Sequence, residues 1–285
     1  MKVQYIIKDI KEKLAPLYSP SECQTIVKII FDNLMHYSPV DLVMKQDEEV
    51  SDFIEGKIDN MVNRLLNHEP IQYIFNEAYF HGNMLKVTPD VLIPRPETEE
   101  LIDLIVSENP QSDLKVLDIG TGSGAIAVSL ARSLRFPIVS AIDISPKALE
   151  VAEENATKLK VKVKFIEADI LNLKAIGNEG YDIIVSNPPY ITDGEKDEME
   201  DNVLDFEPHL ALFVPNNDPL KFYRAISIYA QRALKRGGKL YFEINNHFGE
   251  EMKELLKQNG FTDINIIKDM HGKDRIATST KPQND

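Results

Sequence analysis

Through the first 66 residues apolar side chains recur every three or four positions. Beyond them the pattern shortens to β-branched runs, so the chain reads as helices followed by alternating strands and helices. Ser19-Pro20-Ser21-Glu22 supplies an N-cap, a proline at the first helical position and a capping-box glutamate. Ile26, Ile29, Ile30 and Leu34 then mark one face. Ser38-Pro39 predicts another helix start, and Ile54, Ile58, Met61 and Leu65 another helical stripe. Ala78–His81, a Gly82-Asn83 turn and Met84–Thr88 predict a β-hairpin, after which Pro89, Pro94 and Pro96 stiffen the chain and Glu97–Val106 returns to helical spacing.

Lys115–Ile119, Ile138–Asp143, Val163–Glu167, Tyr181–Ser186 and Lys239–Ile244 predict strands with helices between most of them, the signature of a parallel sheet covered on both faces. Thr262–Lys268 and Arg275–Ser279, joined by a short loop, predict an antiparallel pair. The organisation expected is a helical bundle over 1–70, a hairpin linker over 71–96 and an α/β domain over 97–285.

Composition narrows the partners. With 43% hydrophobic residues and a formal charge of −14, the chain is an ordinary globular sequence with no extended basic footprint for bare nucleic acid. A single cysteine, Cys23, excludes an intrachain disulfide and a thiolate metal cluster, and no metal site is expected. The N-terminus breaks its apolar residues with charges and no run reaches membrane-spanning length, so a cytoplasmic location is expected. His81, His209 and His271 fall in turns or loops without partners at metal spacing. Asp193 to Glu207 holds eight acidic residues and one lysine, and reads as a solvated flexible loop or, more sharply, as a docking surface for basic residues flanking a substrate.

Two motifs carry chemistry. Leu114–Leu130 reads as strand, glycine loop and helix, with Gly120, Gly122 and Gly124 allowing a tight turn close to a ligand and helix-start N–H groups able to meet a negative group. Asp143 ends the next strand, where its carboxylate can accept from both ribose hydroxyls. Gly120, Gly122 and Ala125 also satisfy the loose dinucleotide fingerprint. Asp118 tips the balance, because a carboxylate beside the loop repels pyrophosphate but suits the ammonium or sulfonium of S-adenosylmethionine. Asp169, after the third strand, can accept from an adenine amino group.

The second motif is Asn187-Pro188-Pro189-Tyr190, where two prolines end the strand Tyr181–Ser186 in a rigid tip. The Asn187 side-chain oxygen and the Pro188 carbonyl are expected to accept one N–H each from a planar amide or amine, with Tyr190 stacking on its plane. No general base is evident in the motif.

These segments, with Ile93–Glu99, Phe206–Ala211 and Lys268–Arg275, resemble the bacterial release factor glutamine methyltransferases (the PrmC/HemK family) over nearly the whole chain. The resemblance implies a Rossmann-like class I methyltransferase sheet, mostly parallel with an antiparallel last strand, plus an N-terminal all-α bundle for substrate recognition. It implies methyl transfer from S-adenosyl-L-methionine, yielding S-adenosyl-L-homocysteine, to the side-chain amide of the glutamine in the Gly-Gly-Gln loop of class-1 release factors. Asp118, Gly120, Thr121, Gly122, Ser123, Gly124, Asp143, Asp169, Ile170 and Asn187 would hold the cofactor. Asn187, Pro188, Pro189 and Tyr190 would hold the glutamine, with Arg95, Glu97 and Thr98 closing over the site. Asn245 and Phe248 depart from the family's glycine and glutamine, and Asn76 from a usual glycine, which bears on two loop shapes. The competing readings are a nucleic-acid amino-methyltransferase, which the acidic charge opposes, and a non-catalytic cofactor-binding scaffold, which the intact motifs oppose.

Overall fold

The computed structural model describes residues 1–172 and 180–283. The chain divides into two compact units, Met1–Asn76 with Glu200–Phe206, and Glu77–Met199 with Glu207–Asp285.

The first unit holds helices α1 (Val3–Leu14), α2 (Pro20–Met35), α3 (Asp41–Met44), α4 (Asp52–Leu66) and α5 (Ile71–Phe75). The capping box at α2 forms as the sequence implies: Ser19 Oγ accepts from Glu22 N, and the Glu22 carboxylate accepts from Ser19 N. One core runs through the bundle, with Val27, Ile30 and Phe31 of α2 fully buried against Val3, Ile10 and Leu14 of α1. The Ser38-Pro39 start yields only the four-residue α3, although Ser38 and Asp41 make reciprocal side-chain to backbone bonds. Asn76 closes α5 at φ 55°, the left-handed conformation asparagine tolerates best after glycine, so this departure keeps the turn.

The second unit is built on a seven-stranded sheet. Its strands are β3 (Lys115–Ile119), β4 (Ile138–Asp143), β5 (Val163–Glu167), β6 (Tyr181–Ser186), β9 (Leu234–Glu243), β10 (Thr262–Lys268) and β11 (Asp274–Thr280). The order is β10-β11-β9-β6-β3-β4-β5. The strands β9, β6, β3, β4 and β5 are parallel, and β11 is antiparallel to both β9 and β10. Helices α6 (Pro96–Glu108), α7 (Ala125–Ser133), α8 (Pro146–Lys158), α11 (Lys221–Ala233) and α12 (Gly249–Gln258) accompany the strands. Two cores flank the sheet, and side chains of β6 divide between them as the pleat requires: Ile184 faces one, Ile183 and Val185 the other.

The hairpin β1 (Glu77–Phe80) and β2 (Asn83–Lys86) belongs to this unit, with Phe80 and Leu85 fully buried in its core. The turn is His81-Gly82, one residue earlier than expected. A two-residue type I′ turn, which matches strand twist, needs φ > 0 at both central positions, and His81 (44°) and Gly82 (72°) provide it. The acidic stretch is also more ordered than a flexible loop. It forms a 3₁₀-helix (Asp193–Glu198), the helix α9 (Asp201–Phe206), which belongs to the first unit, and a buried Glu207; Glu195 and Glu207 are taken up by internal donors. Short strands β7 (Ile191–Thr192) and β8 (Phe213–Val214) pair in parallel, and α10 (His209–Leu212) precedes β8.

Candidate active site

The chain reverses its order across the sheet between β3 and β6, so the carboxyl ends of these neighbours form the topological switch point. Ser186 Oγ donates to Ile119 O at 2.6 Å and locks the two strand ends together. A cavity of about 380 Å³ opens there. It is walled by Gly120 and Gly122, Asp143, Asp169 and Ile170, Asn187 to Pro189, the Pro89–Leu92 segment, and Pro208, Leu210, Phe222 and Ile226.

The glycine loop is shaped for a close ligand. Gly120 and Gly122 have φ of 73° and 53°, and a Cβ built on either would meet no protein atom within 4 Å. Gly124 is different, since a Cβ there would lie 3.0 Å from Ala152 Cβ, so it is required for α7 to pack on α8. The loop's N–H groups are largely spent internally. Gly120 N and Thr121 N donate to Ile142 O, Gly124 N to Thr121 O, and Gly122 N to Asp143 Oδ2. Those four loop N–H groups are thus committed within the protein rather than offered to a ligand.

Asp118 stands back from the place the sequence suggests for it. It is fully buried and does not line the cavity. Its Oδ2 accepts from Thr121 Oγ1 (2.6 Å) and Ala127 N (3.2 Å), so it caps α7 from within the strand. Burial pushes its carboxyl up to about 7, against those two hydrogen bonds and with help from the charge of Asp143. Thr121 and Ser123 are likewise buried and absent from the cavity wall, with Ser123 O accepting from Asn155 Nδ2. The physical reason is alternation: Ile119 faces the cavity, so its strand neighbour Asp118 turns away.

Asp143 does reach the cavity. Its oxygens accept from Gly122 N (2.8 Å) and Ser145 N (2.9 Å), and burial nonetheless holds its carboxyl above the usual range. Asp169 lines the wall while its Oδ1 accepts from Leu171 N, a turn-capping bond.

Asn187, Pro188 and Pro189 face the cavity, but Tyr190 does not. The Tyr190 ring packs against the core that contains Tyr223 and Phe242. Its hydroxyl donates to Glu243 Oε1 at 3.1 Å, and its carbonyl accepts from Asn245 Nδ2. Asn245, the departure from glycine, thus braces the clamp, with Glu195 accepting from the same amide. Arg95, Glu97 and Thr98 also lie off the cavity wall. Arg95 pairs with the buried Glu207, which additionally accepts from Ile93 N, so the Arg95 segment is fastened to the Pro208 wall instead of forming a lid.

Thr98 leads to the residue the sequence analysis missed. Its Oγ1 donates to Glu243 Oε2 at 2.6 Å and accepts from Asn187 Nδ2 at 3.4 Å. Glu243 is 1% exposed. Burial raises its carboxyl, while Thr98, the charge of Arg275 and Tyr190 oppose the rise. No local signal marks Glu243, which the sequence shows only as a charge near the end of a strand.

Comparison with known proteins agrees with this architecture. The Methyltransferase domain family matches residues 110–278, and the PrmC N-terminal domain family matches residues 6–75. The chain is 46% identical over 272 residues to the release factor glutamine methyltransferase of Bacteroides thetaiotaomicron, covering 95% of this chain and 98% of that one. It is 44% identical over 269 residues to the protein of that name from Flavobacterium psychrophilum, covering 93% and 94%. A methyltransferase of solved structure from Pyrococcus furiosus shares the fold, with a TM-score of 0.53 at 20% identity over 79% of this chain and 99% of that one. With two relatives so similar along nearly their whole length, this chain belongs to the release factor glutamine methyltransferase family.

Proposed function

We propose that the protein transfers a methyl group from S-adenosyl-L-methionine to the side-chain amide nitrogen of the glutamine in the Gly-Gly-Gln loop of class-1 peptide chain release factors, leaving S-adenosyl-L-homocysteine. The observation that carries this reading is the Asn187-Pro188-Pro189 tip on the wall of the switch-point cavity, which the open backbone of Gly120 and Gly122 also lines.

The residues present fit that cofactor. The two glycines leave the space a Cβ would fill, and Asp143 and Asp169 line the same wall as acceptors. The N–H groups of Gly120, Thr121, Gly122 and Gly124 are already bonded, which leaves fewer donors for a pyrophosphate. When bound, the cofactor supplies a sulfonium-activated methyl. The protein's own task is orientation. Asn187 Oδ1 and the Pro188 carbonyl each accept one N–H of the glutamine amide, directing its nitrogen toward the cofactor end of the cavity. Fixed orientation of this kind is worth several kcal/mol, roughly 7 or more in favourable cases. Tyr190 steadies the clamp from behind through Glu243.

The N-terminal helical unit, expected over 1–70, serves recognition of the release factor, and its exposed Val40, Val43, Met44 and Phe53 offer apolar contacts. Action in the cytoplasm fits a translation-factor substrate. Among the described residues no helix is long and apolar enough to cross a membrane.

The test is transfer of a labelled methyl group from S-adenosylmethionine to a purified class-1 release factor, beside a factor carrying alanine at the Gly-Gly-Gln glutamine. Label on the first and none on the second is expected. Equal label on both, or none on either, overturns the reading.

A further inference from the structure

Asn187 carries an amide, and an amide can turn either its oxygen or its nitrogen toward a substrate. An oxygen there selects a glutamine side chain, which has N–H groups to donate. A nitrogen there selects a glutamate carboxylate, which has none. Nothing within the clamp motif decides between them, so the decision must come from Asn187's other neighbours.

Donor counting resolves it. Glu243, as a carboxylate, only accepts, and its two oxygens are occupied by Tyr190 Oη at 3.1 Å and Thr98 Oγ1 at 2.6 Å. The Thr98 contact has the length of a charge-assisted bond. Thr98 has one hydroxyl proton, which that bond consumes, so toward Asn187 its oxygen can only accept. Asn187 must therefore present Nδ2 to Thr98, as it does at 3.4 Å, and Oδ1 is the atom left for a ligand. Burial raises the Glu243 carboxyl, and the carboxylate on which the count depends is held against that rise by the donors Thr98 and Tyr190 and the charge of Arg275. Burial of Thr98 and Glu243, at 4% and 1% exposure, keeps water from substituting for either.

We propose that Thr98 and Glu243 are specificity-determining positioning residues, which by fixing the direction of the Asn187 amide make the enzyme choose a glutamine amide over a glutamate carboxylate. Neither touches the substrate; they act through Asn187. The inference rests on the proposed methylation of a release-factor glutamine.

The test uses full-length wild type, Thr98→Val, Thr98→Ser and Glu243→Gln. For each, kcat and KM are measured on a purified release factor. The inhibition constant is then measured for the same factor with glutamate in place of the Gly-Gly-Gln glutamine. Wild type should favour glutamine. Thr98→Val, nearly the same shape without the hydroxyl, should lose roughly tenfold or more in kcat and narrow the glutamine-over-glutamate preference about as much, because Asn187 is free to turn. Thr98→Ser should restore both. In Glu243→Gln the new amide can donate to Thr98 and reverse the chain, so preference should narrow there too. If Thr98→Val does not fold, Glu243→Gln decides alone. Wild-type preference in whichever of these variants folds overturns the proposal. Absence of methylation by wild type itself strikes instead at the proposed function.

Discussion

Replacing Asp118 by asparagine probes the least comfortable group in the fold. Asp118 is fully buried, and among the described residues no cation pairs with it and its ionised form is stabilised by one hydroxyl and one helix N–H, both on Oδ2. Among the described residues its Oδ1 has no hydrogen-bond partner. Burial lifts its carboxyl from 3.8 to about 7, so the fold prefers the protonated form. The stability this contributes is fully present below the unfolded value and is lost as pH rises toward 7. That interval corresponds to roughly 4 kcal/mol. Asparagine keeps the acceptor for Thr121 and Ala127 and places an N–H₂ where the protonated acid would also carry an unpartnered group, so near pH 4 the two proteins should differ little. Above pH 7 the variant should be more stable by several kcal/mol, because it has no charge to desolvate. Asp143 and Glu243, also raised by burial, are common to both proteins and largely cancel. Urea unfolding of the cofactor-free proteins from pH 4 to 8.5 measures the difference directly. Stability curves that stay parallel across that range would refute the assignment of Asp118 as a buried, cost-bearing cap.

Three further outcomes are expected. Asn187→Ala should retain the fold and most of the cofactor affinity but lose turnover by about a hundredfold or more, since both orientation and an acceptor are removed; near-normal methylation would contradict the clamp. Asp143→Asn should raise the S-adenosylmethionine dissociation constant about 10- to 100-fold in calorimetric titration, because one charged acceptor is lost and an N–H₂ is set against a backbone N–H that Asp143 now accepts; a change within twofold would remove Asp143 from the cofactor site. Gly124→Ala should destabilise by about 1–3 kcal/mol in a urea midpoint, from the strained φ of 80° and the 3.0 Å approach to Ala152; an unchanged midpoint would mean that α7 and α8 shift apart without cost.

The parallel strands were legible because both faces of each are covered, which leaves continuous β-branched runs between turn residues. Tyr181–Ser186 coincides with β6, and the proline tip stands where two residues without N–H donors must end a ladder. The hairpin slipped by one residue because turn type depends on which side chain tolerates φ > 0, and His81 gives little sign that it does. Asp118 was placed against the ligand because linear distance to the glycine loop is visible in a sequence, whereas the side of the pleat is settled only by which neighbour faces the cavity. Glu243 was illegible for another reason. Its partners Thr98 and Tyr190 come from the start of α6 and from the loop after β6, brought together only by the insertion of β6 between β3 and β9.

Three acidic side chains, Asp118 and Glu243 buried and Asp143 half-buried, stand near the carboxyl ends of β3, β4 and β9, and among the described residues their hydrogen-bond donors are not lysine or arginine. Asp118 gathers Thr121 and Ala127, Asp143 gathers Gly122 and Ser145, and Glu243 gathers Thr98 and Tyr190. An ionised carboxylate can only accept, so Glu243 dictates the direction of the hydrogen bonds from Thr98 and Tyr190, and Asp143 those from Gly122 and Ser145. Those bonds draw loop N–H and hydroxyl protons inward and, in the clamp proposed above, leave Asn187 Oδ1 and the Pro188 carbonyl as acceptors. Such a site favours groups that bring their own donors, such as an amide, an ammonium or a ribose hydroxyl. Buried acids are therefore tolerated here because they fix polarity in advance. A hydrophobic replacement of the same shape would leave Thr98 free to donate to Asn187, and the clamp would no longer distinguish an amide from an acid.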